Sequence, residues 1–334
     1  MVARLPLSIA NALRSDECNH AADDMRTHSN ASGATYCQIV QGVAWSGLAV
    51  AILSGWFVVT RLGFRHDLGV WDVIALRFGE GAALLTPALL IGPSRLRFDA
   101  WPRGIVLAAL WGAPFIVLVA IGLRLTSATL ASSVAPALMP VFAGLIAWGF
   151  LGEVPHRRQL FGYGMIGAGL VALVHACFRA EGGLDAVGIA ALVVAAMMWA
   201  LYTLRLRRTA LTSLQAASLI CFWSALLYLP LYFEFGLSNL THASVAELLF
   251  QSIYQGVMMS VIALFAFNRA ISLIGPQAAA AIIALVPVVT TLLAIPVLGE
   301  WPSWATSAVV CLVAVGVVFA AVSPKQDHPK GEHR

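Results

Sequence analysis

Apolar residues in this chain do not alternate with polar ones. They fill ten stretches of roughly 20 residues, the length a helix needs to cross a bilayer, and charges or Pro/Gly turns separate them. The stretches are 42–60, 70–91, 104–123, 126–151, 159–176, 187–204, 214–233, 248–271, 276–298 and 303–322. Each is predicted to be a helix, because hydrocarbon offers a backbone group no partner outside its own segment, and a closed barrel would show period-2 alternation. The fold class expected is all-α integral membrane. Loops this short make consecutive spans antiparallel. Residues 1–40 mix Arg4, Arg14 and Arg26 with Asp16, Glu17, Asp23 and Asp24 and hold no long apolar run. They read as a disordered cytoplasmic tail rather than a signal or transit peptide, and residues 323–334 form a second tail.

The ten spans are five used twice. Pro140-Val141, Leu151-Gly152-Glu153-Val154-Pro155 and Gly169 reappear 147 residues later as Pro287-Val288, Leu298-Gly299-Glu300-Trp301-Pro302 and Gly316. At an offset of 143, Trp56 falls on Trp199, Thr60 on Thr203, Leu76 on Leu219, Ala82 on Ala225 and Pro87 on Pro230. The repeats occupy 42–176 and 184–322. An odd number of spans per repeat inverts the second copy, which predicts ten transmembrane helices as two inverted five-helix repeats.

Composition strengthens the membrane assignment: 60% of residues are hydrophobic, 11% charged, and the mean hydropathy is +0.85. Soluble domains carry about 25% charged residues. The net charge of +4 lies in short loops rather than on one face, so it argues topology and not nucleic acid. With a cytoplasmic N-terminus, fifteen Lys and Arg fall on the cytoplasmic side and four, Arg61, Arg65, Arg124 and Arg179, on the other. The positive-inside rule then puts both termini in the cytoplasm, expected here to border an inner (cell) membrane. Five scattered cysteines give neither a disulfide framework nor a metal site. There is no HExxH, GxSxG or GxxxxGK[ST], so neither an intramembrane enzyme nor an ATP-driven pump is indicated, and no cofactor is expected.

Two inverted fives, each closing on Pro, Leu-Gly-Glu and a final apolar span, resemble the EamA-type members of the drug/metabolite transporter superfamily. The residues that carry the likeness are Ala75-Leu76-Arg77-Phe78, Trp199-Ala200-Leu201-Tyr202, Tyr254-Gln255-Gly256-Val257, Asn268-Arg269-Ala270, Pro287 and Leu298-Gly299-Glu300. It extends over about 42–322. The resemblance implies a secondary transporter, generally an exporter of small metabolites, amino acids or drugs, working by alternating access. Its partners would be a small-molecule substrate and the bilayer; a non-transporting scaffold is the alternative from another class. The first-repeat counterpart of 254–270, around 109–125, lacks the Tyr-Gln-Gly and Asn-Arg-Ala patterns.

Ionisable residues inside a membrane are functional candidates, because each costs roughly 2.5–3.5 kcal/mol to insert. Arg77 and Glu80 lie three apart, on one helix face. Glu80 reads as a proton-coupling carboxylate and Arg77 as a holder of a substrate carboxylate, or the two form a static, mutually neutralising pair. Trp56, Trp199 and Tyr202 suit either a cavity wall or an interfacial belt. Tyr254 and Gln255 are expected to line a cavity, and Asn268 to join helices. Glu153 and Glu300, each at a span end before a proline, read as caps or loop pins. Pro87 with Pro230, and Pro140 with Pro287, are expected to bend helices at matching places in the two repeats.

Overall fold

The computed structural model describes residues 38–65, 68–91, 96–97, 100–152, 154–181, 185–206, 208–283 and 285–321, and among these no strand occurs. Residues 1–37 of the first predicted tail, the whole of the second and Glu153 lie outside the described residues; residues 38–40, expected in the tail, are the first turn of α1. In chain order the helices are α1 (Gln38–Arg65), α2 (Val70–Leu90), α3 (Trp101–Trp111), α4 (Ala113–Leu125), α5 (Ala128–Leu151) and α6 (Arg157–Glu181). Then come α7 (Ala186–Leu206), α8 (Ser213–Glu234), α9 (Val245–Ser252), a π-helical segment (Ile253–Ala263), α10 (Leu264–Ile283), α11 (Val286–Leu298) and α12 (Trp304–Ala321). Eight helices among the described residues are long and apolar enough to cross a membrane, with α3 and α4 counted as one, and Val286–Leu298 and Trp304–Ala320 are shorter apolar ones. The outer surface is apolar as well: Phe150, Val171 and Trp304 are 86%, 72% and 94% exposed. A surface of this kind would aggregate in water and is stable against lipid. The chain is a multi-pass membrane protein.

The helices pair across the two repeats. α6 packs on α12, α2 on α8 and α5 on α11. Contacts of α3 and α4 with α7 in one direction are answered by contacts of α1 with α9 and the π segment in the other. Each pairing is thus either its own counterpart or has one with the repeats exchanged. The duplicated residues explain part of this symmetry. Gly152 and Gly299 end α5 and α11 in the left-handed region, each at φ 69°, where a residue with a Cβ is penalised. Gly169 and Gly316 lie in the α6–α12 contact, where a Cβ on Gly316 would press on the Ile166 backbone nitrogen at 3.1 Å. Small residues let membrane helices approach closely without a water-driven force to hold them.

One expected boundary moves. A turn at 272–275 would separate the eighth and ninth spans, with Pro287 bending the ninth. Instead α10 runs past Gly275 and Pro276 to Ile283, and Pro287 opens α11 in its first turn, where the missing N–H costs nothing. Pro140 stays inside the continuous 24-residue α5. The two prolines therefore match in sequence but not in structure. Pro87 and Pro230 both sit near the C-terminal ends of α2 and α8.

Candidate functional site

The third span of each repeat loses regular α geometry near its middle. In the first repeat the helix stops at Trp111 and restarts at Ala113, around Gly112 at φ −95°, ψ −141°. Pro114 explains the restart: it has no N–H for the helix ladder and its ring crowds the preceding turn. The break is sealed by the Ser224 hydroxyl, which accepts from Ala113 N at 3.1 Å. A Cβ on Gly112 would overlap both that hydroxyl and the Ala108 carbonyl. In the second repeat the corresponding stretch widens into the π segment Ile253–Ala263. At the offset of 143, Gly112 falls on Gln255, inside that segment. Paired departures from helix geometry in two repeats are the places where transporters build sites.

Between the two irregular stretches lies a cavity of about 20 Å³, room for one or two waters, lined by Arg77, Trp111, Cys221, Met259 and Ser260 among others. Arg77 is 6% exposed and its Nη1 has no hydrogen-bond partner among the described residues. Trp111 Nε1 is likewise buried and unpartnered. The guanidinium carbon sits 5.4 Å from the Trp56 ring centre and 5.8 Å from that of Phe78. Such contacts stabilise a cation by about 0.5–2 kcal/mol. Removing an ion from water costs several kcal/mol, so the aromatic faces offset only part of it. Among the described residues no carboxylate pairs with Arg77.

No ion pair links Arg77 to Glu80. The mutually neutralising pair that their spacing permits is not formed, because Arg77 turns onto Trp56 while half-buried Glu80 turns towards the π segment. There it fills the space that a side chain on Gly256 would need, with the Glu80 Cβ 2.6 Å from that position. The Gly of Tyr254-Gln255-Gly256 is thus a close-approach residue for a carboxylate on α2.

Trp199 and Tyr202 belong to an aromatic wall behind the cavity. Trp111 stacks on Tyr202 with centroids 5.0 Å apart and planes 12° off parallel, and lies 6.1 Å from Trp199; Phe115 meets Trp199 edge-on at 6.0 Å. Tyr202 is 8% exposed, so it is not a belt residue.

Trp56, weighed between cavity wall and belt, and Tyr254 and Gln255, expected at a cavity, are joined by hydrogen bonds between α1 and the π segment. Trp56 Nε1 donates to Gln255 Oε1 at 2.7 Å, and Gln255 Nε2 donates to Thr60 Oγ1 at 3.0 Å and Gln251 Oε1 at 3.3 Å. Gln251 Nε2 continues to the Val59 carbonyl at 2.9 Å and Glu247 Oε1 at 3.0 Å. Tyr254 donates its hydroxyl proton to the Ile52 carbonyl at 3.0 Å. This chain of amides zips α1 to α9 and the π segment, and it fixes the Trp56 face beneath Arg77. Asn268 falls on α10, with its side chain outside what the structure describes.

One end of the molecule is tied by charges. Glu300 receives Arg61 Nε at 3.5 Å and Arg65 Nη2 at 3.3 Å, and accepts from Ala128 N at 3.3 Å. Arg61 Nη1 donates to the carbonyls of Leu123 and Arg124 at 2.5 and 2.9 Å, and Arg65 Nη1 donates to Leu298 O at 2.6 Å. These arginines complete the C-terminal ends of α4 and α11, where helix carbonyls lack partners and the dipole favours cations. At the same end Asp72 is fully buried, accepting from Tyr232 Oη at 2.5 Å, Asn239 N at 3.0 Å and Gly69 N at 2.7 Å. It locks α2 to α8.

Trp111, Gly112, Phe115, Cys221 and Ser260 escaped the reading of the sequence. The available signal was Gly112 followed by Pro114 in the middle of an apolar span, a helix-stop pattern. Among the described residues, no group of three His, Cys, Asp or Glu side chains is placed to hold a metal ion.

A family model described as the EamA-like transporter family matches residues 40–174 and 186–322, one match per repeat. A solved crystal structure superposes on 84% of this chain and 95% of its own at a TM-score of 0.59, with 20% identity, a likeness of fold alone. No curated protein matches the chain.

Proposed function

The chain belongs to the EamA-like transporter family, and from that membership we propose that it is a secondary-active exporter of small metabolites or amino acids. In this reading ten membrane-crossing helices form two inverted five-helix repeats that rock around the cavity between α2, the Gly112 break and the π segment. Both termini face the cytoplasm and the membrane is the inner one, as the fifteen-to-four split of Lys and Arg supports. Export is coupled to proton entry at Glu80, the acidic side chain that lies one turn from Arg77 and against the π segment. The observation that carries the reading is the paired loss of helix geometry at Gly112 and Ile253–Ala263, on either side of the buried Arg77.

The test uses the purified chain in liposomes, with exchange of a labelled solute measured at equal pH on both sides and then under an imposed pH gradient. Glu80→Gln is expected to keep exchange and to lose gradient-driven accumulation. Full gradient-driven accumulation in Glu80→Gln would remove the coupling role. Failure of the wild type to exchange any of a panel of amino acids, organic acids and lipophilic cations would remove the transport reading itself.

A further inference from the structure

We propose that the cavity beneath Arg77 and Trp111 is a carboxylate site, so that the carried molecule is an organic acid with an apolar body. Its identity as cargo rests on the transport reading; the binding site does not. Arg77 Nη1 and Trp111 Nε1 are both buried, both without a hydrogen-bond partner among the described residues, and both line the same cavity. Two unpartnered donors, one of them charged, call for an acceptor that carries negative charge. A carboxylate matches both, since its two oxygens can take a guanidinium N–H and an indole N–H together.

The remaining lining decides between an acid, an amine and a zwitterion. Ser260 Oγ lies 3.1 Å from the backbone carbonyls of Arg77 and Gln255, which share its single proton. No carboxylate lines the cavity among the described residues, and Glu80 is turned against Gly256. An ammonium group would therefore meet a buried arginine with no anion to balance either of them. The rest of the wall, including Phe78, Ile220, Met259 and Leu264, is apolar. At about 20 Å³ the space accommodates the head group alone, so the body of the ligand enters as the two repeats part.

Thermal unfolding of the full chain in detergent tests this with phenylacetate as probe. Phenylacetamide, phenethylamine and phenylalanine are the neutral, cationic and zwitterionic matches, and chloride alone is the inorganic anion. Phenylacetate is expected to raise the unfolding temperature and the others are not. Arg77→Met should abolish that rise and Arg77→Lys should restore part of it. Trp111→Phe keeps an aromatic ring against Tyr202 but loses the indole N–H together with its five-membered ring; it should still fold cooperatively and bind phenylacetate about ten-fold more weakly. Equal protection by phenylacetamide or by chloride would overturn the site, as would undiminished phenylacetate binding in Arg77→Met, or no response to phenylacetate, benzoate and butyrate. If Arg77→Met does not fold, Trp111→Phe decides: unchanged affinity overturns the proposal. Counterflow of labelled phenylacetate in liposomes separates the two claims. Binding without counterflow of phenylacetate or of any solute in the panel supports the site and removes the transport reading, whereas counterflow of phenethylamine without carboxylate binding removes the site and leaves a transporter.

Discussion

Arg65 and Arg77 are the same side chain in opposite circumstances. Arg65, 46% exposed at its side chain and at one end of the molecule, has a carboxylate at 3.3 Å and a helix-end carbonyl at 2.6 Å. Arg77, buried at the centre, has an Nη1 with neither. The surface arginine could have been left to water, yet it is paired; the buried one could not, yet among the described residues its Nη1 has no partner. A buried cation without a partner charge does not serve stability, since an uncompensated buried charge is destabilising. The difference separates a fastening from a site. Arg61, Arg65 and Glu300 hold α1, α4, α5 and α11 together at one end, and in the proposed transport cycle they hold that end shut. Arg77 is held ready for a group that the protein itself does not supply.

The largest effect expected from breaking this contrast is at Arg77. Arg77→Met should cost at least 100-fold in exchange rate in liposomes while raising the stability of the ligand-free protein by about 1–3 kcal/mol, the penalty of a buried group without its partner. A structural arginine would give the opposite sign on unfolding.

A smaller effect is expected at Gln255, which holds Trp56 in place beneath Arg77. Gln255→Leu leaves Trp56 Nε1 and Thr60 Oγ1 without their buried partner. We expect a loss of about 1–3 kcal/mol, read as a lower unfolding temperature, with weaker ligand binding because the Trp56 face is no longer fixed.

The smallest effect on stability is expected at the paired end. The ion pairs are long, 3.5 and 3.3 Å, and Arg65 is 46% exposed, so with two arginines sharing one carboxylate each pair contributes about 1 kcal/mol. Glu300→Gln should lower the unfolding temperature only slightly. It should nevertheless shift the balance between closed and open forms about five-fold, since about 1 kcal/mol placed wholly on one state is enough.

Much of the fold was legible in hydropathy. The second span was expected at 70–91 and α2 is Val70–Leu90; the seventh was expected at 214–233 and α8 is Ser213–Glu234. Span length is set by bilayer thickness, and apolar composition reports it directly. Local backbone geometry is not reported in that way. The π segment has the same composition as an α-helix, and nothing in the residues around 272–275 required the expected turn to be skipped. The site was legible only in part. Arg77 stood out because charge in an apolar span is costly, but Trp111 was one of ten tryptophans and its unpartnered N–H exists only in three dimensions. It also lies in 109–125, the stretch that departs from the family pattern. The spacing of Arg77 and Glu80 permits a pair, and the structure forms none: the guanidinium turns to the Trp56 face and the carboxylate to the space at Gly256, contacts that no period along α2 encodes. Glu300 was placed at a loop by its Pro-flanked motif, while its partners Arg61 and Arg65 are more than 230 residues away.

Cys221 offers the most direct measurement. It is buried on the wall of the central cavity. With Cys18, Cys37, Cys177 and Cys311 replaced by Ala, its modification by a membrane-impermeant maleimide can be followed in sealed vesicles of either orientation. Alternating access predicts that in the wild type Cys221 is modified mainly from the face opposite the Glu300 cluster, that Glu300→Gln raises modification from the cluster's own face, and that phenylacetate protects it from both. Cys221 inert from both faces in both proteins, or modified equally fast from both faces in the wild type, would contradict a cavity that opens to one side at a time.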